Sequence, residues 1–111
     1  MDMVDVGSDS NANPLIWSAI ARRQLLRFHF RNKDRIVEPH DYGVHNGVVK
    51  LFAYQVAGES NAPLPNWRWF EETGMSDLTI LDTPFPGGRP TKSGKHQSWD
   101  KLYIRVRQSG T

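Results

Sequence analysis

The chain contains no cysteine, and this absence excludes several classes of site. Zinc ribbons, iron–sulfur clusters, thiol nucleophiles and disulfide frameworks all depend on cysteine. With 111 residues the chain is long enough to bury an ordinary hydrophobic core, so its stability requires no disulfide or structural metal. The lack of cysteine also fits a reducing compartment.

Long apolar runs are missing as well. No stretch approaches the roughly 20 apolar residues that are needed to cross a bilayer. The first 13 residues carry three acids and no base, which is the opposite of a secretory signal. We therefore expect a cytoplasmic protein without membrane contact. Residues 1–13 are predicted to be a disordered acidic tail, and residues 14–111 a single domain.

The residue patterns that mark catalysis or metal binding are also missing. The histidines lack the paired spacing of a metal site, and no serine lies in a nucleophile elbow. The loop 87–96 resembles a phosphate-binding P-loop, but five residues separate Gly88 from Gly94 and His96 replaces the hydroxyl. We expect no enzymatic activity, no metal and no cofactor. The same basic loop is either an anion-binding loop or a plain surface loop.

Hydrophobic periodicity predicts one helix followed by about six short strands. Asn13 and Pro14 form a helix start signal, and the helix is expected to end near Leu25. Asn46-Gly47 indicates a hairpin turn. The predicted strands begin at Leu26 and then cover 35–42, 48–57, 67–70, 78–81 and 101–107, with the second weakened or ended by proline. This pattern predicts a mainly β fold, all-β with an N-terminal helix, arranged as a small antiparallel barrel or sandwich.

The small net charge of +2 conceals two basic segments. Residues 14–37 carry six bases and one acid, and residues 86–111 carry the same numbers. If these segments meet in space, they form a patch suited to phosphate. The alternative is a solvated charged surface.

Aromatic residues surround two of the remaining cations. The alternation in 67–70 places Trp67 and Trp69 on one side of a strand and Arg68 on the other. Arg68 then either pairs with an acid, such as Glu38 or Glu71, or faces a ligand. Core packing is the first explanation of these rings, because aromatic side chains dominate small cores. Rings beside cations are also what stacking on nucleic-acid bases requires.

Two segments carry a resemblance to a known family. They read AIARRQLLRFHFRNKDRIVEPHDYGV and GVVKLFAYQVAGE…NWRWFEETGMSDLTIL, and together they resemble the WYL domain of bacterial transcriptional regulators over residues 15–81. Pro39, Leu51 and Arg68 match positions of the family pattern, whereas Val49 and Lys50 replace its tryptophan and tyrosine.

This resemblance implies an Sm-like or SH3-like barrel of five to six strands that senses a nucleotide or nucleic-acid ligand. Family members pass that signal to an attached DNA-binding domain. Since the short polar tail cannot supply a helix-turn-helix module, we expect a stand-alone sensor or adaptor form.

The predicted ligand is a nucleotide or single-stranded nucleic acid, with a homo-oligomer or a separate regulator protein as a further partner. The alternative function is a protein-interaction or oligomerisation module without a nucleotide ligand. The predicted ligand-binding residues are Arg68, Lys50 and Tyr54 from the barrel, Arg89, Lys95, His96 and Trp99 from the long loop, and Arg22, Arg23 and Arg35 as an extension of the charged surface.

Overall fold

The computed structural model describes residues 12–89 and 98–107, which form one antiparallel sheet of six strands with a helix at the N-terminal end. This confirms the predicted mainly β class. No helix within these two ranges is long and apolar enough to span a membrane. The elements in chain order are α1 (Pro14–Arg22), β1 (Gln24–Phe30), β2 (Lys33–His45), β3 (Val48–Gly58), β4 (Asn66–Glu71), a 3-10 turn (Glu72–Gly74), β5 (Met75–Pro84) and β6 (Lys101–Arg105).

Helix α1 begins at the predicted signal. The Asn13 side chain accepts hydrogen bonds from the backbone amides of Leu15 and Ile16, and proline occupies the first turn. The helix ends before the predicted Leu25, because Arg23 adopts a left-handed conformation with φ of 56° and β1 starts at the next residue. Ala12, which we placed in the tail, packs against the core, while tail residues 1–11 lie outside the described residues.

The strand order is β4-β3-β2-β1-β5, and β6 pairs with the C-terminal part of β2. All pairings are antiparallel. Strands β4 and β5 stand at the two ends of this order and follow each other directly through the 3-10 turn. Closure of the sheet into an Sm-like or SH3-like barrel stays a prediction.

Strand β2 continues through Pro39, where the sequence predicted a weakening or an end. The register between β2 and β3 shifts between Pro39 and Asp41, so the proline lies at an irregularity of the ladder. A β-bulge tolerates proline because the ladder already lacks a hydrogen bond there. The shift also places Glu38 opposite Tyr54 and Asp41 opposite Phe52. Both acids therefore lie on the same side of the sheet, although they are three residues apart.

The hydrophobic core lies on one side of the sheet, where it is covered by α1. The helix contributes Ile16, Ala19 and Ile20, whereas Leu15, which belongs to the predicted apolar stripe, is 41% exposed. The rest of the buried core consists of Leu26, Phe28, Phe30, Val37, Tyr42, Leu51, Ala53, Phe70, Phe85 and Val106.

Candidate ligand-binding site

A row of rings lies on the side of the sheet away from the core. In the β3–β4 ladder, Phe52 is opposite Trp69 and Tyr54 is opposite Trp67. Directly opposite residues share a side of an antiparallel sheet. We call this surface the aromatic face; it consists of His45, Phe52, Tyr54, Trp67, Trp69 and Trp99.

The rings of the aromatic face touch one another in a continuous series. The ring centroids are 5.1 Å apart for Tyr54 and Trp67, and 5.0 Å apart for Trp67 and Phe52. The series continues with 4.6 Å between Phe52 and Trp69, and 4.6 Å between Trp69 and His45. Only Phe52 is buried, whereas the other four rings are half-buried. These rings therefore combine mutual packing with access to solvent.

Trp99 joins the aromatic face from the segment before β6. Asp100 holds that segment against the β2–β3 hairpin, because its amide donates to the Val44 carbonyl and its carboxylate accepts from the Gly47 amide. The indole ring of Trp99 then lies 5.5 Å from that of Trp69. The Nε1 atom of Trp99 is buried without a hydrogen-bond partner.

One cation lies at each end of the ring series. The Lys50 ammonium is 5.5 Å from the centroid of the Trp69 ring and 3.3 Å from Nδ1 of His45. The Arg89 guanidinium lies over Tyr54, at 4.5 Å from the ring centroid. Both distances are within the range of cation–π attraction.

Glu38 and His40 determine where Arg89 lies. The Arg89 guanidinium donates to both oxygens of the buried Glu38 carboxylate, with 2.9 Å between Nη2 and Oε2. The Arg89 amide donates to Nε2 of His40 at 3.1 Å, so that nitrogen carries no proton. Nδ1 of His40 is therefore the protonated nitrogen, and it donates to the Glu38 carbonyl at 2.8 Å. Burial lowers the pKa of His40, which favours this neutral form.

Four of the predicted ligand-binding residues come together on the aromatic face or at its ends. They are Lys50, Tyr54, Arg89 and Trp99. The prediction that Lys50 and Tyr54 share a side of β3 is confirmed by their register with β4. Lys95 and His96 lie outside the described residues.

Arg35 does not extend the charged surface as predicted, because it is only 2% exposed on the core side of the sheet. Its guanidinium donates to the Phe30 carbonyl and to the Gln55 side chain. It also lies 5.7 Å from the Phe30 ring and 5.8 Å from the Phe70 ring. The two-residue alternation of β2 before the bulge places it on the same side as Val37.

Arg68 also lies on the core side, and so away from the aromatic face; the alternation of 67–70 predicted that it lies on the other side from the two tryptophans. It is opposite Ala53 in the β3–β4 ladder. Neither acid proposed as its partner pairs with it within the described residues, since Glu38 binds Arg89 and Glu71 is opposite Lys50.

The two basic segments meet at Arg23. Its guanidinium donates to the Pro86 carbonyl at 3.3 Å, and its own carbonyl accepts from the Phe85 amide. Arg22 is exposed in the last turn of α1. These contacts place Arg23 beside the segment that leads to Arg89, and none of them is with a residue of the aromatic face.

The predicted site omitted four members of the aromatic face: His45, Phe52, Trp67 and Trp69. The alternation in 50–54 and in 67–70 was sufficient to show which residues share a side within each strand. What the sequence did not contain was the register, because β3 and β4 are separated by the irregular segment 59–65.

A comparison with protein-family models finds no match, and comparisons with curated proteins and with solved structures find none either. The chemistry of the aromatic face is therefore the main indication of function.

Proposed function

We propose that this chain is a WYL-like ligand-sensing domain that binds a nucleotide or a short single strand of nucleic acid on its aromatic face. The observation that carries this proposal is the continuous series of rings, all half-buried except Phe52, with a cation at each end. Sequence-tolerant binding of single strands relies on such rings for bases and on cations for phosphates.

The rings provide the stacking part of the interaction. Stacking of a base on an aromatic side chain contributes about 1–3 kcal/mol per base. Tyr54, Trp67 and Trp69 are half-buried, and the buried Phe52 lies between the two indoles. Because neighbouring rings restrain these side chains, little conformational entropy is lost when a base stacks on them.

The cations provide the contacts to phosphate, and their surroundings differ. The Lys50 ammonium contacts the rings of His45 and Trp69. Glu71 is opposite Lys50 in the β3–β4 ladder, but no carboxylate of the described residues forms an ion pair with it, so its charge is available to a phosphate. Arg89 is already paired with Glu38, which compensates much of its charge. We therefore expect the logarithm of the affinity to fall with the logarithm of the salt concentration, with a slope that corresponds to only one or two phosphate contacts.

The resemblance supports a regulatory role for such binding. Pro39 and Arg68 match the WYL pattern, and the mainly β architecture agrees with the Sm-like fold that the family has. The same proposal includes two further points that follow from the resemblance. The chain binds its ligand without catalysis, and it acts in transcription regulation through a separate partner protein.

A tryptophan-fluorescence titration tests the proposal. Single-stranded hexathymidylate and thymidine monophosphate are added to the protein, in which three of the four tryptophans belong to the aromatic face. We expect saturable quenching by hexathymidylate. Lys50→Gln and Tyr54→Leu should each weaken binding about tenfold, which corresponds to roughly 1.4 kcal/mol. Lys33→Gln, a charge-matched change at the start of β2, should leave binding unchanged.

A flat response with both ligands would contradict the proposal. Sedimentation of the same samples over a range of protein concentrations then decides the alternative function. Self-association that Trp69→Ala abolishes would identify the aromatic face as a protein-interaction or oligomerisation surface instead.

A further inference from the structure

Arg35 on β2 and Arg68 on β4 both lie on the core side of the sheet, and we call them the inner arginine pair. The Arg35 guanidinium reaches Gln55 of β3 and lies 5.8 Å from the ring of Phe70, which follows Arg68 by two residues on β4. Arg35 is 2% exposed, and it is the largest fully buried side chain within the described residues. Arg68 is half-buried, and its Nε atom is completely buried. Strand β3 lies between their strands and contributes Gln55 to the same side.

The inner arginine pair has no carboxylate partner within the described residues. Arg35 donates only to neutral acceptors: Nε and Nη2 to the Phe30 carbonyl at 3.4 and 3.3 Å, and Nη1 to Oε1 of Gln55 at 3.2 Å. The buried Nε of Arg68 has no hydrogen-bond partner. Buried charges are ordinarily paired and buried donors ordinarily satisfied, so this arrangement is suited to an anion.

Other arginines of the chain illustrate the contrast. Arg27 pairs with Asp34, Arg89 with Glu38, and Arg105 with Asp41, and each of these arginine side chains is 42–53% exposed. The least exposed arginine is thus one that lacks a carboxylate. Within the described part of the chain, the arginines that pair with carboxylates are those whose side chains are already accessible to water.

Further positive charge surrounds the inner arginine pair. Burial lowers the pKa of Arg35 most, and repulsion from Arg68 and Arg31 lowers that pKa further. Glu59 opposes this effect, but its carboxylate accepts a hydrogen bond from the Asp34 amide. Arg31 lies in the exposed β1–β2 turn, next to an open cleft of about 600 Å³. Its lining residues are His29, Phe30, Arg31, Asn32, Gly74 and Ser76.

We propose that the inner arginine pair binds a phosphate group, with Nε of Arg68 as a donor and the guanidinium charges of Arg35 and Arg68 as the counter-charge. Phe30, whose carbonyl accepts from Arg35, also lines the cleft beside Arg31, and we assign the approach from solvent to that cleft. Planar guanidinium groups match the geometry of phosphate oxygens and bind them with strong, charge-assisted hydrogen bonds. This site lies on the opposite side of the sheet from the aromatic face, so it does not depend on the function proposed for that face.

Inorganic phosphate is the probe that tests this inference. Thermal unfolding and calorimetric titration are performed at constant ionic strength, with phosphate replaced stepwise by chloride. We expect phosphate to raise the midpoint of unfolding and to saturate. Arg68→Met should weaken phosphate binding at least tenfold. Arg22→Met, which removes the same charge from the exposed end of α1, should not.

A second readout comes from the protein without phosphate. Because Arg68→Met removes repulsion between two cations, we expect the phosphate-free variant to be at least as stable as the unchanged protein. The Arg68-dependent part of phosphate binding should persist in Lys50→Gln, which removes the phosphate contact of the aromatic face, and this separates the inference from the proposed function. Thymidine monophosphate in place of phosphate distinguishes the sources: tighter, Arg68-dependent binding indicates a nucleotide phosphate, and equal binding indicates free phosphate.

The inference is overturned if phosphate does not bind the unchanged protein with saturation. It is equally overturned if Arg68→Met and Arg22→Met reduce binding to the same extent, since the effect would then be one of general charge. If Arg68→Met fails to fold, Arg68→Lys replaces it; a lysine that leaves phosphate binding unchanged would exclude the guanidinium donor.

Discussion

At the scale of single residues, His40 connects the sheet to the segment that carries Arg89. It is 4% exposed, and its two nitrogens bond to backbone atoms of different elements. Its ring also packs edge-on against Trp67 and is stacked with Phe85. Protonation would put a proton on Nε2, where the Arg89 amide already donates, and would add a charge to a buried ring.

This geometry predicts a pH dependence of stability. The pKa of His40 in the folded protein lies below its ordinary value of 6.5, so the unfolded state binds more protons in the window below that pH. The free energy of unfolding should therefore be constant above about pH 7 and fall as the pH drops below about 6.5. Urea unfolding at pH 7.5 and pH 5.5 measures the difference.

The control for this prediction is His40→Gln, which cannot titrate and should show a much smaller difference between the two pH values. An equal difference in variant and unchanged protein would contradict it. The half-buried Asp34 does not interfere, because its pKa is lowered from 3.8 by the hydrogen bond from Arg27. Its contribution to stability is lost only at more acidic pH.

At the scale of elements, the β2–β6 pairing depends on a close approach of two backbones at Gly43. A Cβ atom at this position would lie 2.2 Å from the Lys101 carbonyl oxygen and 2.9 Å from the Leu102 Cα. Backbone atoms cannot give way without separating the strands. Gly47 is the opposite case, because its φ is +77° and nothing lies within 4 Å of an added Cβ.

Gly43→Ala should destabilise the protein by about 2–3 kcal/mol through steric overlap. Gly47→Ala should cost only about 1 kcal/mol, the strain of a left-handed backbone. Gly43→Ala should also change the fluorescence of Trp99, because that residue directly precedes β6. Urea unfolding compares the two variants, and a larger loss for Gly47→Ala would contradict this account of the pairing.

The N-terminal cap of α1 gives a second prediction at this scale. Asn13→Ala removes the side-chain acceptor for the Leu15 and Ile16 amides and should lower the free energy of unfolding by about 1 kcal/mol. The hydrogen bond from the Asn13 amide to the Tyr42 hydroxyl is a backbone contact and remains. Ser18→Ala within the helix is the control and should change stability little. A similar loss in both variants would contradict a specific capping effect.

The elements that depend on neighbouring residues could be predicted from the sequence. The helix start at Asn13, the Asn46-Gly47 turn with φ of 52° and 77°, and the alternation around Arg68 are such local signals. The bulge after Pro39 could not be predicted, because only the paired strand reveals which ladder bond is absent. That bulge is also what places Glu38 and Asp41 together on one side of the sheet.

The site was predictable only in part for the same reason. Lys50, Tyr54, Arg89 and Trp99 were found as cations and rings, yet Arg68 was grouped with them although it lies on the other side of the sheet. Residue type indicated the chemistry. The strand register, which depends on contacts distant in the sequence, divided these residues between two sides.

At the scale of the whole molecule, the sheet separates two kinds of positive site. The aromatic face carries rings with cations at its ends, and the inner arginine pair carries charge without a carboxylate within the described residues. The net charge of +2 describes neither site, since paired arginines such as Arg27 and Arg105 contribute to it as well. Position relative to the sheet, rather than total charge, distinguishes the two.

The salt dependence of hexathymidylate binding is the most direct test of the central claim, that the aromatic face binds nucleic acid with Lys50 as a phosphate contact. Each phosphate neutralised on a single strand contributes about −0.7 to the slope of log affinity against log salt concentration. We predict a slope between about −0.7 and −1.4, reduced by about 0.7 in Lys50→Gln and unchanged in Lys33→Gln. Binding that ignores salt, or an unchanged slope in Lys50→Gln, would contradict the account.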